Sequence, residues 1–273
     1  NALVILDGMA VSLPKTQRHR CKKMNNNTVG GGVVWAFAVD AAKGLCPVKI
    51  LKVIEGAWHD SKVMEDVDLI AKGPVYVMDR GFYAFHLIDK WLKKKVHFIV
   101  RARARSLYYH VEQIVSFPRR IGAIQILEDA IVLLGQSGAK DARSVRLIKA
   151  ILSSGEELIL TSDLTDWSAE ALLDAYKKRW HIERFHRLLK DTMGLAHLYS
   201  FSQNGIAFLI HTALLLALLL YMSVSDYKST TLDVLKKALR DVRIVAGCGT
   251  PWKRNSCSVS RGKKTKRKKK ENP

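Results

Sequence analysis

Four side chains with useful chemistry recur at helical spacing between positions 176 and 190. Tyr176, Arg179, Glu183 and Lys190 lie at i, i+3, i+7 and i+14. A continuous α-helix turns by about 100° per residue, so it would place them within roughly 60° of one another. One helix face would then present a carboxylate among cations. Apolar residues at 182, 185 and 189 predict a second face that packs on a core.

Two aspartates could bring further carboxylates to this helix. Asp7 and Asp79 each follow a short apolar run that predicts a strand, at 3–6 and at 75–78, and ligands of open α/β sheets gather at strand ends. If the two strands are neighbours and the helix packs on them, Asp7, Asp79 and Glu183 meet. Such carboxylates would repel one another unless divalent cations neutralise them. Two Mg²⁺ ions about 3.5–4 Å apart could activate an attacking oxygen and stabilise the leaving oxygen during in-line displacement at phosphorus.

The apolar pattern predicts the elements that position these residues. We expect strands at 3–6, 33–39, 48–54, 75–78 and 96–100, and helices at 61–70 and 85–93. This order predicts an α/β fold with a mixed sheet. Short apolar runs broken by glycines predict a β-rich insertion at 104–166, and Ser168 is the expected N-cap of the helix that carries Glu183.

Composition and charge narrow the class of protein. A chain of 273 residues with 48% hydrophobic residues can bury a sizeable core. The net charge of +20 indicates a polyanionic partner or an anionic membrane surface. Ten of the basic residues lie at 253–273, which we interpret as a disordered polybasic tail that binds phosphate without sequence preference. The four cysteines have neither the spacing of a zinc site nor that of a Cys-x-x-Cys pair, so we expect reduced thiols.

One apolar segment has two interpretations. Positions 206–222 are apolar except for His211, Thr212 and the hydroxyl of Tyr221, which is close to the length that crosses a bilayer. We expect a helix buried on all sides, because the segment stands alone and contains a histidine. An integral membrane protein that spans the bilayer at 206–222 is the alternative.

At the positions of the polar helix the sequence resembles the DDE transposases of the insertion-sequence-four group. Their hallmark is Tyr-x-x-Arg-x-x-x-Glu-x-x-x-x-x-x-Lys, and Tyr176, Arg179, Glu183 and Lys190 match every position and gap. The likeness extends to Trp180, to Asp-Arg-Gly-aromatic at 79–82 and to Asp-Gly at 7–8. Several short motifs in the right order are far harder to obtain by chance than any one of them.

The resemblance implies an RNase H-like mixed sheet flanked by helices, with the β-rich insertion before the catalytic Glu helix. It implies that Asp7, Asp79 and Glu183 are catalytic and bind metal, with two Mg²⁺ ions as cofactors and Mn²⁺ as a possible substitute. The remaining site residues would contact DNA. By this analogy Tyr176, Arg179 and Lys190 hold terminal phosphates, Trp180 packs near a displaced base, and Arg80 contacts phosphate or holds Asp79.

The activity implied by the resemblance is cut-and-paste transposition of an insertion sequence. The enzyme would nick double-stranded DNA at the transposon ends and join the freed 3′-hydroxyl to target DNA, as a homodimer in the cytoplasm at the nucleoid. The expected division of the chain is a first part of the catalytic core at 1–103, the insertion at 104–166, the Glu helix and a buried helix at 167–225, a helical segment at 226–252 and the tail at 253–273.

Plainer interpretations accompany each of these residues. Asp7 could be a turn residue, Arg179 and Lys190 could belong to a solvated helix face, and Tyr176 and Trp180 could simply pack at an element boundary. Only six residues precede Asp7, whereas the family usually has a DNA-binding region there, so we expect that part of the protein precedes the first residue. A truncated or decayed copy that binds DNA without catalysis is therefore the alternative function.

Overall fold

The computed structural model describes residues 2–12, 32–40, 46–55, 72–104, 108–135, 143–195 and 203–223. The strands in these ranges are β1 (Leu3–Ser12), β2 (Gly32–Asp40), β3 (Cys46–Glu55), β4 (Val75–Met78), β5 (His97–Arg101), β6 (Tyr109–Ser116), β7 (Arg119–Ile121), β8 (Ile124–Leu134), β9 (Arg143–Ile151) and β10 (Glu157–Ser162). The helices are α1 (Phe85–Lys93), α2 (Ala169–Lys177), α3 (Trp180–Arg187) and α4 (Gln203–Ser223), with a π-helical turn at Leu188–Thr192. The expected helix at 61–70, the helical segment at 226–252 and the tail at 253–273 lie outside the described residues.

The described strands form one mixed sheet in the order β3-β2-β1-β4-β5-β10-β9-β8-β6, with β7 paired to β8. β1 runs antiparallel to β2 and parallel to β4, and β4 runs parallel to β5. The last strand of the β-rich segment, β10, pairs antiparallel with β5. The β-rich segment therefore continues the core sheet, and the prediction of a mixed sheet flanked by helices is confirmed.

Both faces of the central strands are covered, which explains why their sequences are apolar without alternation. Ile5, Val77 and Ile99 lie in a buried cluster with side chains of α2, α3 and α4. Their neighbours along the strands, such as Leu6 and Met78, lie in a second cluster with side chains of α1. Because side chains alternate along a strand, the face toward which each residue of β1, β4 and β5 points follows from its position.

The structure corrects the expected end of the first strand. The sequence predicts that the strand ends before Asp7, but β1 continues to Ser12. Antiparallel pairing with β2 persists from Val4 to Ser12, so the backbone hydrogen bonds extend past the point where β4 stops at Met78. Asp7 therefore lies within β1, although it follows the last residue of β1 that pairs with β4.

The helix of the polar motif is divided, whereas the sequence predicts one continuous helix. α2 ends at Lys177, a turn follows at 178–179, and α3 begins at Trp180. The π-helical turn then changes the angular spacing of side chains before Lys190. The common face expected for all four motif residues therefore does not arise from one regular helix.

The apolar helix α4 is buried on one face only, so the expectation of burial on all sides is wrong. Ile210, Ala213 and Ala217 are buried in the core beside the sheet, whereas Phe208 and Leu215 are exposed by 70% and 56%. Within the described residues, no helix has the length and hydropathy needed to cross a membrane.

Candidate active site

Two acids lie side by side on the face of the sheet that α2, α3 and α4 cover. Leu6 of β1 is in register with Met78 of β4, so Asp7 and Asp79 follow at the roughly 4.8 Å spacing of neighbouring strands. Asp7 has the same orientation as Ile5, whose cluster includes the helices. Each carboxylate is oriented by a backbone N–H group: Gly8 donates to Asp7 Oδ1 at 2.9 Å, and Gly81 donates to Asp79 Oδ1 at 2.7 Å.

An arginine that the sequence analysis missed extends this row. Met78 is in register with Val100 of β5, so Arg101 follows beside Asp79 and shares the face of Ile99. Its Nη2 donates to Glu156 Oε1 at 2.6 Å. The rule that ligands gather at strand ends would have found Arg101 if it had been applied to cations as well as to acids.

The helix α2, the turn at 178–179 and the helix α3 together carry the motif, and we call them the signature helix. This segment places its own charges over the row of Asp7, Asp79 and Arg101. α2 lies against β4 and α3 lies against β1. Arg179, in the turn between them, donates from Nη2 to Glu183 Oε1 at 3.0 Å, and its guanidinium carbon lies 5.8 Å from the centre of the Tyr176 ring. A carboxylate, a phenol and a guanidinium of the motif therefore lie together, although the helix is divided.

The electrostatics show that the helix and the row of acids interact. Burial raises the pKa of the Tyr176 phenol, and the nearby charges of Arg179, Arg101 and Asp79 modify it. Burial also disfavours the charge of Arg179, but Tyr176, Asp7 and Glu183 outweigh this and raise its pKa. The charges of Asp79 and Asp7 thus act on Tyr176 and on Arg179 respectively.

The two remaining expected cations, Lys190 and Arg80, lie in different surroundings. Lys190 is half-buried in the π-helical turn, where its charge acts on His186. Arg80 is exposed, and its backbone carbonyl accepts a hydrogen bond from Arg103 Nε at 3.0 Å. Within the described part of the chain, no three His, Cys, Asp or Glu side chains are grouped closely enough to hold a metal ion.

A cleft of about 500 Å³ separates the signature helix from the β-rich extension, which is the part of the sheet formed by strands β6 to β10. Tyr176, Arg179 and Trp180 line one side, and the turns at 121–124 and 152–156 line the other. Trp180 lies at the border of the cleft and is 59% exposed. Aromatic and cationic groups therefore face a wall of mixed apolar and polar side chains, and Arg101 also lines the cleft.

The start of the signature helix is fixed by two sets of hydrogen bonds. Ser168 caps α2, because its Oγ accepts from the backbone N of Ala171 at 3.1 Å. Immediately before it, Arg146 of β9 donates from Nη1 to the carbonyls of Thr165 and Trp167. The N-cap prediction is confirmed, and the β-rich extension contributes directly to holding α2.

The strand order and the paired acids beneath the helices define an α/β domain with a mixed sheet flanked by helices. The family model of the transposase DDE domain matches residues 2–220, so the chain belongs to that family. The resemblance to insertion-sequence transposases is thereby confirmed. Proteins of the DDE transposase family generally use divalent metal ions.

Curated relatives carry the names of insertion-sequence transposases. One, named for insertion sequence element IS5377 of Geobacillus stearothermophilus, is 22% identical over 55% of this chain and 39% of its own length. Another, named for IS4SA of Synechocystis sp., is 26% identical over 66% of this chain and 51% of its own length. The chain thus spans about half the length of these relatives or less.

A solved structure of the piggyBac transposase in a synaptic complex with hairpin DNA also matches. It has a TM-score of 0.47 at 8% identity and covers 92% of this chain and 55% of its own.

Proposed function

We propose that this chain is the catalytic part of a DNA transposase that nicks transposon ends and transfers the freed strand to target DNA. The observation that carries the proposal is the pair Asp7 and Asp79, adjacent on neighbouring strands and facing the helix of Arg179 and Glu183. Carboxylates beside cations suit phosphodiester chemistry, since acids can bind metal while cations hold phosphate.

The chemistry of the donors fits Mg²⁺, with Mn²⁺ as a substitute, although the three carboxylates would have to move closer together than they stand in this structure to hold an ion. Hard divalent cations prefer carboxylate oxygens, and Asp7 and Asp79 supply such oxygens on rigid strands while Glu183 supplies one from α3. Two bound ions would activate the attacking oxygen and stabilise the leaving oxygen. The N–H groups of Gly8 and Gly81 hold the two aspartates in orientation.

The cations around the acids would position DNA. Arg179 and Arg101 offer planar guanidinium forks to phosphate oxygens, and Lys190 offers a point charge. The Tyr176 phenol, between the two arginines, would donate a hydrogen bond to the same phosphate. Arg80 lies exposed at the border, where it can contact the backbone of the bound DNA.

Trp180 and the adjoining cleft would accept a base. Aromatic rings stack on nucleobases regardless of their sequence, and Trp180 is largely exposed beside the cleft. The partners are then double-stranded DNA, at the transposon ends and the target, and a second copy of the chain at the second end. The place of action is the cytoplasm, at the nucleoid.

Nicking of plasmid DNA that carries the inverted repeats flanking the gene tests this function. Wild-type protein should nick the plasmid with Mg²⁺ or Mn²⁺ and not with a chelator, and Asp79→Asn should reduce the rate by at least about 10³-fold. Asp166→Asn, a change of the same kind at an exposed position, is the matched control.

Two outcomes would contradict the proposal. Survival of nicking in each of Asp7→Asn, Asp79→Asn and Glu183→Gln would show that the catalytic assignment is wrong. Binding of the repeats by folded wild-type protein without any nicking would favour the alternative of a copy that binds DNA without catalysis.

A further inference from the structure

Arg179 interacts with two of the acids assigned to the metal site. Its Nη2 donates to Glu183 at 3.0 Å, and the negative charge of Asp7 acts on the same guanidinium. The arginine thus supplies to Glu183 and Asp7 the positive charge that a divalent cation would supply. A bound metal ion would therefore compete with the guanidinium for the Glu183 carboxylate.

The contact between Arg179 and Glu183 is incomplete on both sides. The Glu183 side chain is 35% exposed, so its carboxylate can turn without disturbing the core. Arg179 Nε is buried and makes no hydrogen bond to any described atom. A buried donor without an acceptor is destabilising, which favours transfer of the guanidinium to a better acceptor.

A DNA phosphate is such an acceptor. It can accept from two nitrogens of a guanidinium at once, and Arg179 lines the cleft that opens toward Trp180. A phosphate bound there would satisfy Nε and draw the guanidinium away from Glu183.

We propose that Arg179 is an exchangeable counter-ion that couples phosphate binding to metal binding. Without DNA it neutralises Glu183; with a phosphate in the cleft it releases Glu183 to the cation. The inference rests on the proposed function, because it takes Glu183 as a metal ligand. Linkage requires the coupling to be reciprocal, so DNA raises the affinity for metal as much as metal raises the affinity for DNA.

Arg101 provides a matched control for plain charge effects. It lies at the same end of the sheet and pairs with Glu156 at 2.6 Å instead of with Glu183. Arg101→Gln and Arg179→Gln remove the same charge near the acids, but only Arg179→Gln removes a competitor for Glu183. The difference between the two variants isolates the counter-ion role.

Binding of Mn²⁺, measured from the electron paramagnetic resonance signal of the free ion, tests the proposal. Without DNA, Arg179→Gln should bind Mn²⁺ about fivefold more tightly than Arg101→Gln, the value expected for a partly exposed ion pair worth about 1 kcal/mol. A short blunt duplex, corrected for its own Mn²⁺ binding, should raise the affinity of wild type and leave that of Arg179→Gln nearly unchanged. Arg179→Lys, which keeps the charge without the fork, should lie between wild type and Arg179→Gln, and it replaces Arg179→Gln if that variant does not fold.

Equal affinities of Arg179→Gln and Arg101→Gln for Mn²⁺, or an equal effect of the duplex on wild type and Arg179→Gln, would overturn the counter-ion role. The proposed function fails by a different result. If Asp79→Asn binds Mn²⁺ as tightly as wild type, the acids are not the metal site. Loss of Mn²⁺ binding in Asp79→Asn, combined with identical arginine variants, would leave the function standing and remove only the coupling.

Discussion

Two arginine–carboxylate pairs in this molecule differ in how completely they are satisfied. Arg146 and Asp129, in the β-rich extension, are 3% and 1% exposed and make two hydrogen bonds to each other, at 2.8 and 3.0 Å. Ser116 Oγ donates to the same aspartate at 2.8 Å. Arg179 and Glu183, at the acidic row, are 16% and 35% exposed and share one hydrogen bond.

The difference in burial and hydrogen bonding indicates that Arg146 and Asp129 form a structural pair, whereas Arg179 and Glu183 form a pair that can change partners. A buried ion pair offsets its desolvation only when its donors and acceptors are paired with good geometry, and Arg146 achieves this through Asp129 and the carbonyls of Thr165 and Trp167. The pair at the acidic row keeps an unsatisfied nitrogen and access to solvent. The first pair holds α2, whereas the second would, on the proposed function, exchange its partners for phosphate and metal.

The largest expected effect is loss of stability when the structural pair is broken. Arg146→Met leaves Asp129 charged and buried, so the free energy of unfolding should fall by about 3–5 kcal/mol, measured by urea denaturation. Arg179→Met should cost about 1 kcal/mol or less, because its partner is partly exposed. Similar losses for the two variants would break the comparison. The double variant Arg146→Met/Asp129→Leu should recover much of the loss.

A smaller loss of stability is expected from protonation of His186, which lies on α3 three residues after Glu183. Burial lowers its pKa to about 4, and the charge of Lys190 acts in the same direction. The unfolded chain takes up this proton below pH of about 6.5, so the His186 contribution to stability is complete above that pH. It is lost as the pH falls from about 6.5 to about 4, by about 3 kcal/mol in total.

Denaturation of wild type and His186→Phe at neutral pH and near pH 4 measures this contribution. As the pH falls, the free energy of unfolding of wild type should decrease relative to that of His186→Phe. His110→Gln, at an exposed position of β6, should keep the pH dependence of wild type. If His186→Phe does so too, the signature helix is not anchored by a neutral buried imidazole.

The sequence predicted most of the core and only part of the site, for identifiable reasons. β4 is buried on both faces, so its unbroken apolar run ended by Asp79 was recognisable. Arg101, the last residue of β5, looks like any surface cation, and its place beside Asp79 depends on strand pairing that no local pattern records. The turn at 178–179 contains neither glycine nor proline, so nothing in it predicts that the helix divides.

The pairing of Arg146 with Asp129 was also beyond the sequence. Seventeen positions separate the two residues, and each would ordinarily be assigned to the surface. The pairing of β8 with β9 brings the two side chains together. Arg146 also contacts the segment before α2, so both residues are buried.

The pair of Arg101 and Glu156, 23% and 57% exposed, should behave like the pair of Arg179 and Glu183 and not like the buried pair of Arg146 and Asp129. If Arg101 exchanges Glu156 for a DNA phosphate, Arg101→Gln should weaken DNA binding by about tenfold at low salt and reduce the slope of log affinity against log salt by about 1. Fluorescence anisotropy of a labelled duplex over a salt series measures both. Lys93→Gln, on α1 at the opposite face and paired with Asp89, should change the affinity by less than about twofold.

The smallest expected effect tests whether the structural pair and the helix cap act as one unit. Ser168→Ala removes the acceptor for the Ala171 N–H and should lower the free energy of unfolding by about 1 kcal/mol, whereas Ser168→Asp should retain the cap. Because Arg146 holds the carbonyl of Trp167 next to Ser168, the effects of Ser168→Ala and Arg146→Met should not add. A coupling energy of at least about 0.5 kcal/mol in a double-mutant cycle is expected. Strict additivity would mean that the β-rich extension does not set the start of the helix that carries Tyr176 to the acidic row.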